Sequence, residues 1–231
     1  MYTPLVTHLK SLIAEKHLLN HPFYQMWTAG TLPLEVMQRY AEQYYHLERN
    51  FPRFLSQIHT NCQSPEIRQT ITDNLYDEEH GENNHRELWL RFAEAIGVER
   101  DQVTSSTMLP ETQAAIDTFT TLSEQSTIAG VAGLSAYESQ IPEVATQKID
   151  GLKKHYNVTD ENGTAFFRVH STVDIIHADA WWNILEDKAK TLDEQQEAKN
   201  GVVAGRDALW NFLSGICREY LSPEQLATCK M

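Results

Sequence analysis

Residues 170 to 177 read His-Ser-Thr-Val-Asp-Ile-Ile-His. On a helix, at 100° per residue, His170, Asp174 and His177 fall within an arc of about 60°. The same face carries Phe166, Phe167, Val173 and Trp181. A helix turns its apolar face inward, so these three polar groups are expected to point into a core. Buried ionisable groups are costly unless they pair or bind metal. Imidazole and carboxylate together are also an ordinary ligand set for a first-row transition metal. Two readings stand at this point: a satisfied polar network, or part of a metal site.

The rest of the chain narrows the fold. No segment shows the alternating, β-branched pattern of strands, and 10 glycines and 8 prolines are too few for a turn-rich β chain. The 231 residues, 41% of them hydrophobic, suit one domain spanning 1-231. Apolar residues recur at helical spacing from Leu5 to Ile13 and from Phe23 to Trp27. They recur again from Met37 to Ile58, with a kink expected at Pro52. A helix is expected from Pro65 to Ile96, stopped by Gly97, and then a loop from Val98 to Pro110. Further helices are expected over Glu111–Ser123, Thr127–Tyr156 and Thr164–Lys190, and a last one from Leu192 to Tyr220. The expectation is an all-α bundle of seven or eight helices.

A formal net charge of −13 argues against a nucleic-acid or anionic-membrane partner. No apolar run is long enough to span a bilayer. Cys62, Cys217 and Cys229 fit neither a CxxC pair nor a zinc spacing. Their odd number, without a secretory signal, points to a reducing cytoplasm.

Two further stretches place ligand-type residues on apolar faces. If Pro65–Ile96 is one helix, Glu78 and His85 share a stripe with Ile71, Leu75, Trp89, Phe92 and Ile96. They would then lie about 10 Å apart along the axis. That is too far for one ion, but suits a pair of ions ~3.5–4 Å apart. Glu82 falls near the stripe as a substitute ligand, whereas Asp77, Glu79 and His80 are expected on a solvated face. Glu138 shares its face with Val131, Leu134, Ile141 and Ala145. The inward set is therefore Glu78, His85, Glu138, His170, Asp174 and His177. Three carboxylates against two divalent cations leave a residual charge of about +1, open to oxygen or hydroxide. Helix bundles build carboxylate-rich dimetal sites in this way, and mixed N/O ligation favours iron or manganese.

Three motifs carry a resemblance. Asn-Leu-x-Asp-Glu-Glu-x-Gly…Asn-His ends at His85, Tyr-Glu-Ser-Gln-Ile-Pro contains Glu138, and His-x3-Asp-x2-His starts at His170. Together they resemble the heme-oxygenase-like dimetal oxidases, and within them the group around the chlamydial protein associating with death domains. These belong to the broader TenA and pyrroloquinoline-quinone-synthase (PqqC) superfamily. The resemblance runs from His21 to about Asp187 and implies a heme-oxygenase-like bundle, often a homodimer. It implies a dimetal centre, Fe/Fe or Fe/Mn, with O2 as co-substrate, a reductant, and the six residues above as ligands. It further implies synthesis of p-aminobenzoate, a folate precursor, with the enzyme's own tyrosine as ring source. Tyr24 matches the sacrificed tyrosine, Tyr40 a second tyrosine near the metals, and Lys148 the nitrogen-donating lysine.

By composition alone the tyrosines are core aromatics, and Lys148 is a stem along the core edge with a solvated head. A buried amine would instead have a lowered pKa and become nucleophilic. The TenA thiaminase cysteine has no counterpart, because no cysteine lies in the motif-bearing helices. The alternatives are a dimetal oxidase acting on an external small molecule, a PqqC/TenA-like enzyme of cofactor biosynthesis, and a non-enzymatic interaction module.

Overall fold

Prolines and short polar caps set where the helices start. The computed structural model describes residues 3–228, among which every regular element is helical. Cys229 lies outside the described residues. Helix α1 (Pro4–Ala14) opens on Thr3, whose side chain accepts from the Val6 amide, and buries Val6, Leu9 and Ile13. A short 3-10 turn, Leu18–Asn20, leads to α2 (Pro22–Ala29). The His21 ring caps α2 by accepting from Phe23 N, and its other nitrogen lies 3.0 Å from Ser214 Oγ. Burial holds the His21 pKa down to about 3, so this cap is neutral. Gly30 ends α2 at φ 71°, and a Cβ there would lie 2.4 Å from the His155 ring.

The expected rods are present, but four of them are broken. The rod with the expected Pro52 kink is α3 (Leu34–Glu48) and α4 (Phe51–Asn61), parted at Arg49–Asn50. The expected single helix from Pro65 to Ile96 is instead α5 (Pro65–Glu79) and α6 (His85–Ala95). Gly81 sits between them in the left-handed region, and Asn84 caps α6 by accepting from Glu87 N. The expected loop after Gly97 holds a short helix, α7 (Arg100–Thr104), before α8 (Pro110–Gln125). The Thr127–Tyr156 rod divides into α9 (Thr127–Glu138) and α10 (Ile141–His155), with Pro142 in the first turn of α10. The rod bearing the opening trio divides into α11 (Glu161–His170) and α12 (Val173–Lys188). It starts earlier than expected because Asp160 accepts from Gly163 N as its cap. Helix α13 (Leu192–Tyr220) opens on a capping box of Thr191 and Glu194, and α14 (Pro223–Thr228) follows.

Helix α13 lies close along α9. A Cβ on Gly205 would come within 2.8 Å of Gly133 O, and one on Gly201 within 2.9 Å of Ala129 O. Glycine is what permits that approach. The centre is filled by Trp27, Tyr40, Trp89, Phe92, Phe166 and Phe167, all nearly inaccessible to solvent. No described helix is long and apolar enough to cross a membrane.

Candidate metal centre

The four rod breaks meet at one place. Glu48 ends α3, Glu138 ends α9 and His170 ends α11, while Glu78 is the penultimate residue of α5. His85 opens α6, and Asp174 and His177 lie in the first turns of α12. Glu48, His85 and His170 form one buried triad, whose ligand atoms all lie within 4.8 Å of one another. Glu138, Asp174 and His177 form a second triad to the same measure. Glu78 Oε2 reaches His85 Nδ1 at 2.9 Å, and the His85 and His170 rings are 4.3 Å apart. The break at Ser171–Thr172 sends His170 to one triad and Asp174 with His177 to the other. Four helix C-termini, α3, α5, α9 and α11, end around this cluster. The C-terminal end of a helix dipole carries partial negative charge and favours a cation.

Neighbouring groups fix the imidazoles. His170 Nδ1 is 2.8 Å from the Phe166 carbonyl, which only accepts, so Nδ1 carries the hydrogen and Nε2 keeps its lone pair. His177 Nε2 lies 3.1 Å from Asp77 Oδ2, which leaves Nδ1 toward Glu138 Oε1 at 3.3 Å and Asp174 Oδ1 at 3.9 Å. Glu138 is anchored through both oxygens: Asn74 Nδ2 donates to Oε1 at 2.9 Å, and the Trp181 indole N–H donates to Oε2.

Electrostatics show what the cluster lacks. Burial drives the Asp174 carboxyl well above the usual carboxylate range, and Glu138, Glu78 and Glu48 push it further. Burial and Glu78 raise Glu48 to about 8, against His85 and Lys148. Burial opposes charge on His85, yet Glu78 and Glu48 outweigh it and raise the ring to about 9. His177 is likewise raised, by Glu138 and Asp77 against burial. His170 is held well below its ordinary value by burial and His85, and stays neutral. Asp174 Oδ2 is fully buried with no hydrogen-bond partner, and His85 Nδ1 and His177 Nδ1 face carboxylates without hydrogen-bond geometry. The donor set therefore fits cations: carboxylates in excess, a neutral imidazole with a fixed lone pair, and orphaned buried polar atoms.

All six expected metal-ligand residues are buried and gathered here, with three corrections. Glu78 and His85 are not two turns apart on one helix. The turn at residues 80–84 folds α6 back and brings them to 2.9 Å. Glu82 is exposed and takes no part. Asp77 does not merely face solvent, because its carboxylate holds His177. Glu48 escaped the sequence reading. Its signal was register: Tyr40, Tyr44 and Glu48 follow at steps of four along α3.

Beside the cluster lies an aromatic chamber. Lys148 is 4% exposed, so its head is not solvated as a core-edge lysine would be. Its Nζ donates to Tyr40 OH at 2.6 Å, and Tyr40 OH lies 3.3 Å from Tyr24 OH. The same Nζ lies 5.1 Å from the ring centre of Tyr24, 5.3 Å from Tyr44 and 5.1 Å from Phe167. Burial pulls the Lys148 pKa down to about 7, partly offset by Glu48. The Tyr24 phenol is raised by burial and stays protonated. Tyr137 OH donates to Tyr44 OH at 2.6 Å.

Residues 38–210 match the sequence signature of the family described as iron-containing redox enzyme. The chain belongs to that family and is an oxidoreductase. It is 42% identical over 220 residues to a 4-aminobenzoate synthase of Nitrosomonas europaea, covering 91% of this chain and 89% of that one. It is 35% identical to the 4-aminobenzoate synthase of Chlamydia pneumoniae, covering 99% and 100%. In fold it is similar to a TenA homolog from Pseudomonas syringae, with a TM-score of 0.83 at 17% identity over 94% of each chain.

Proposed function

We propose that this protein is a 4-aminobenzoate synthase that builds its product from its own Tyr24, with Lys148 supplying the nitrogen. The observation that carries this is the adjacency of two buried units: the carboxylate–imidazole cluster, and a chamber in which a lysine amine and two phenols touch. The relatives named 4-aminobenzoate synthase support it over nearly their whole length. Glu78, His85, Glu138, His170, Asp174 and His177 would hold two cations, Fe/Fe or Fe/Mn. When bound, that pair supplies the oxidising chemistry, with O2 as co-substrate and a reductant restoring it. The resemblance supports a homodimer, the acidic composition argues against nucleic-acid and anionic-membrane partners, and the cysteine usage supports a cytoplasmic protein.

The chain's own residues prepare the reacting atoms. Tyr40 oxygen accepts from Lys148, which frees the Tyr40 proton to be donated to Tyr24 oxygen. Near neutral pH a large share of Lys148 is free amine, with the lone pair a nucleophile needs. The rings of Trp27, Tyr44, Trp89 and Phe167 surround that amine and exclude water.

The test is intact-protein mass before and after anaerobic loading with Fe(II) and Mn(II), followed by a reductant and O2. The expected result is loss of mass at Tyr24, with at most one 4-aminobenzoate released per chain. Repeated turnover of an added aromatic substrate by an unmodified chain would mean an external-substrate oxidase instead.

A further inference from the structure

Seven ligand-type side chains surround the cluster, and six suffice for the reading above. We propose that Glu48 is itself a metal ligand, of the cation held by His85 and His170, and that this cation sits at the solvent-facing end of the centre. The inference rests on the dimetal reading and adds a residue to it.

Three observations carry it. Glu48 is buried at the last position of α3, with a carboxylate oxygen within 4.8 Å of ligand nitrogens of both His85 and His170. No other carboxylate completes a triad with those two imidazoles among the described residues. Glu48 and Glu78 also line a cavity of about 250 Å³ that opens between Arg49, Pro52, Asn84 and Arg86. This end is therefore reachable from solvent, whereas Glu138 is capped by Asn74 and Trp181. Third, charge closes. Glu48, Glu78, Glu138 and Asp174 give four negative charges against four positive on two divalent cations. A neutral buried centre costs less than one left at +1. Four carboxylates are also the complement of ferritin-like dimetal bundles.

The competing account makes Glu48 the counter-ion of Lys148, whose ammonium it favours. Anaerobic calorimetric titration of Fe(II) and Mn(II) into the full chain, with elemental analysis, separates the two. Wild type should bind two ions. Glu48→Gln should weaken one of the two by at least about 100-fold, leave the other within a factor of about three, and leave a chain that folds by circular dichroism. Lys148→Met should leave both affinities unchanged. Two ions at wild-type affinity in Glu48→Gln would overturn the proposal.

His177→Ala is the control. If it keeps both ions, the dimetal reading itself fails. If it loses an ion while Glu48→Gln loses none, only the Glu48 assignment fails. Should Glu48→Gln not fold, anomalous diffraction from Mn(II)-loaded wild-type crystals decides. A Glu48 oxygen within about 2.5 Å of an ion supports the assignment. Both oxygens beyond 3.5 Å of either ion, on the order of a hydrogen-bond limit, overturn it.

Discussion

The metal-side cluster and the aromatic chamber are equally buried and solve burial in opposite ways. The cluster is assembled at helix ends, where four carboxyl groups and three imidazoles converge. It raises the basicity of His85 and His177 and leaves polar atoms without partners. The chamber is assembled mid-helix from rings, and it suppresses charge, pulling Lys148 down and holding Tyr24, Tyr40 and Tyr44 protonated. One region calls for a positive ion, and the other keeps an amine and phenols neutral. Interiors dominated by carboxylates and by aromatics thus sit side by side, sharing α3 as a wall.

Four perturbations test this contrast. The largest effect is expected from Tyr24→Phe, which should abolish both product and the oxygen-dependent mass change while leaving metal content intact. Its stability cost should be about 1 kcal/mol or less, because a single long hydrogen bond is lost. Denaturant unfolding together with elemental analysis checks both halves.

Lys148 comes next. Its pKa is about 7 in the folded chain against an ordinary 10.5, so between those values the unfolded chain holds the proton and the folded chain does not. Stability should therefore rise with pH from about 7 to 10.5, with this residue contributing at most about 1.4 kcal/mol per pH unit. Below 7 both states are protonated and the contribution is flat. Lys148→Met should flatten the rise in unfolding free energy and abolish product.

Third, stripping cations with a chelator should lower the melting temperature. Saturation at 100 times Kd is worth about 2.7 kcal/mol, or roughly 5–11 °C for a domain of this size. Tyr24→Phe should show the same shift, and Glu138→Ala should show little of it. A shift that vanished in Tyr24→Phe would mean the two regions are not separable.

The smallest effect is expected from Asp77→Asn, which exchanges the carboxylate that orients His177 for an amide. Metal affinity should fall about tenfold, the lower end for outer-sphere partners. Calorimetric titration reads it.

Much of the site was visible as pattern. Six ligand residues stood on apolar faces, and three motifs tied them to a family. Helix continuity was harder to read. The break at residues 80–84 had local signals: Gly81, then Asn84 with Glu87 three residues on, a helix-start signature. The break at Ser171–Thr172 had only a weak signal: both hydroxyls bond back to carbonyls of the preceding turn, at Arg168 and Val169, but Ser and Thr within a helix seldom end it. Asp77 was unreadable for another reason: its partner lies 100 residues away, and an exposed aspartate on a helix is ordinary. Lys148 illustrates the same limit, because periodicity placed it at a boundary and packing then took it wholly inside.

The five residues from His80 to Asn84 join two ligand-bearing helices and are largely exposed. Glu78 and His85 are therefore coupled through a surface connection, not a rigid rod. Lengthening or shortening that connection would alter the distance between the two groups while the cores of both helices stay as they are.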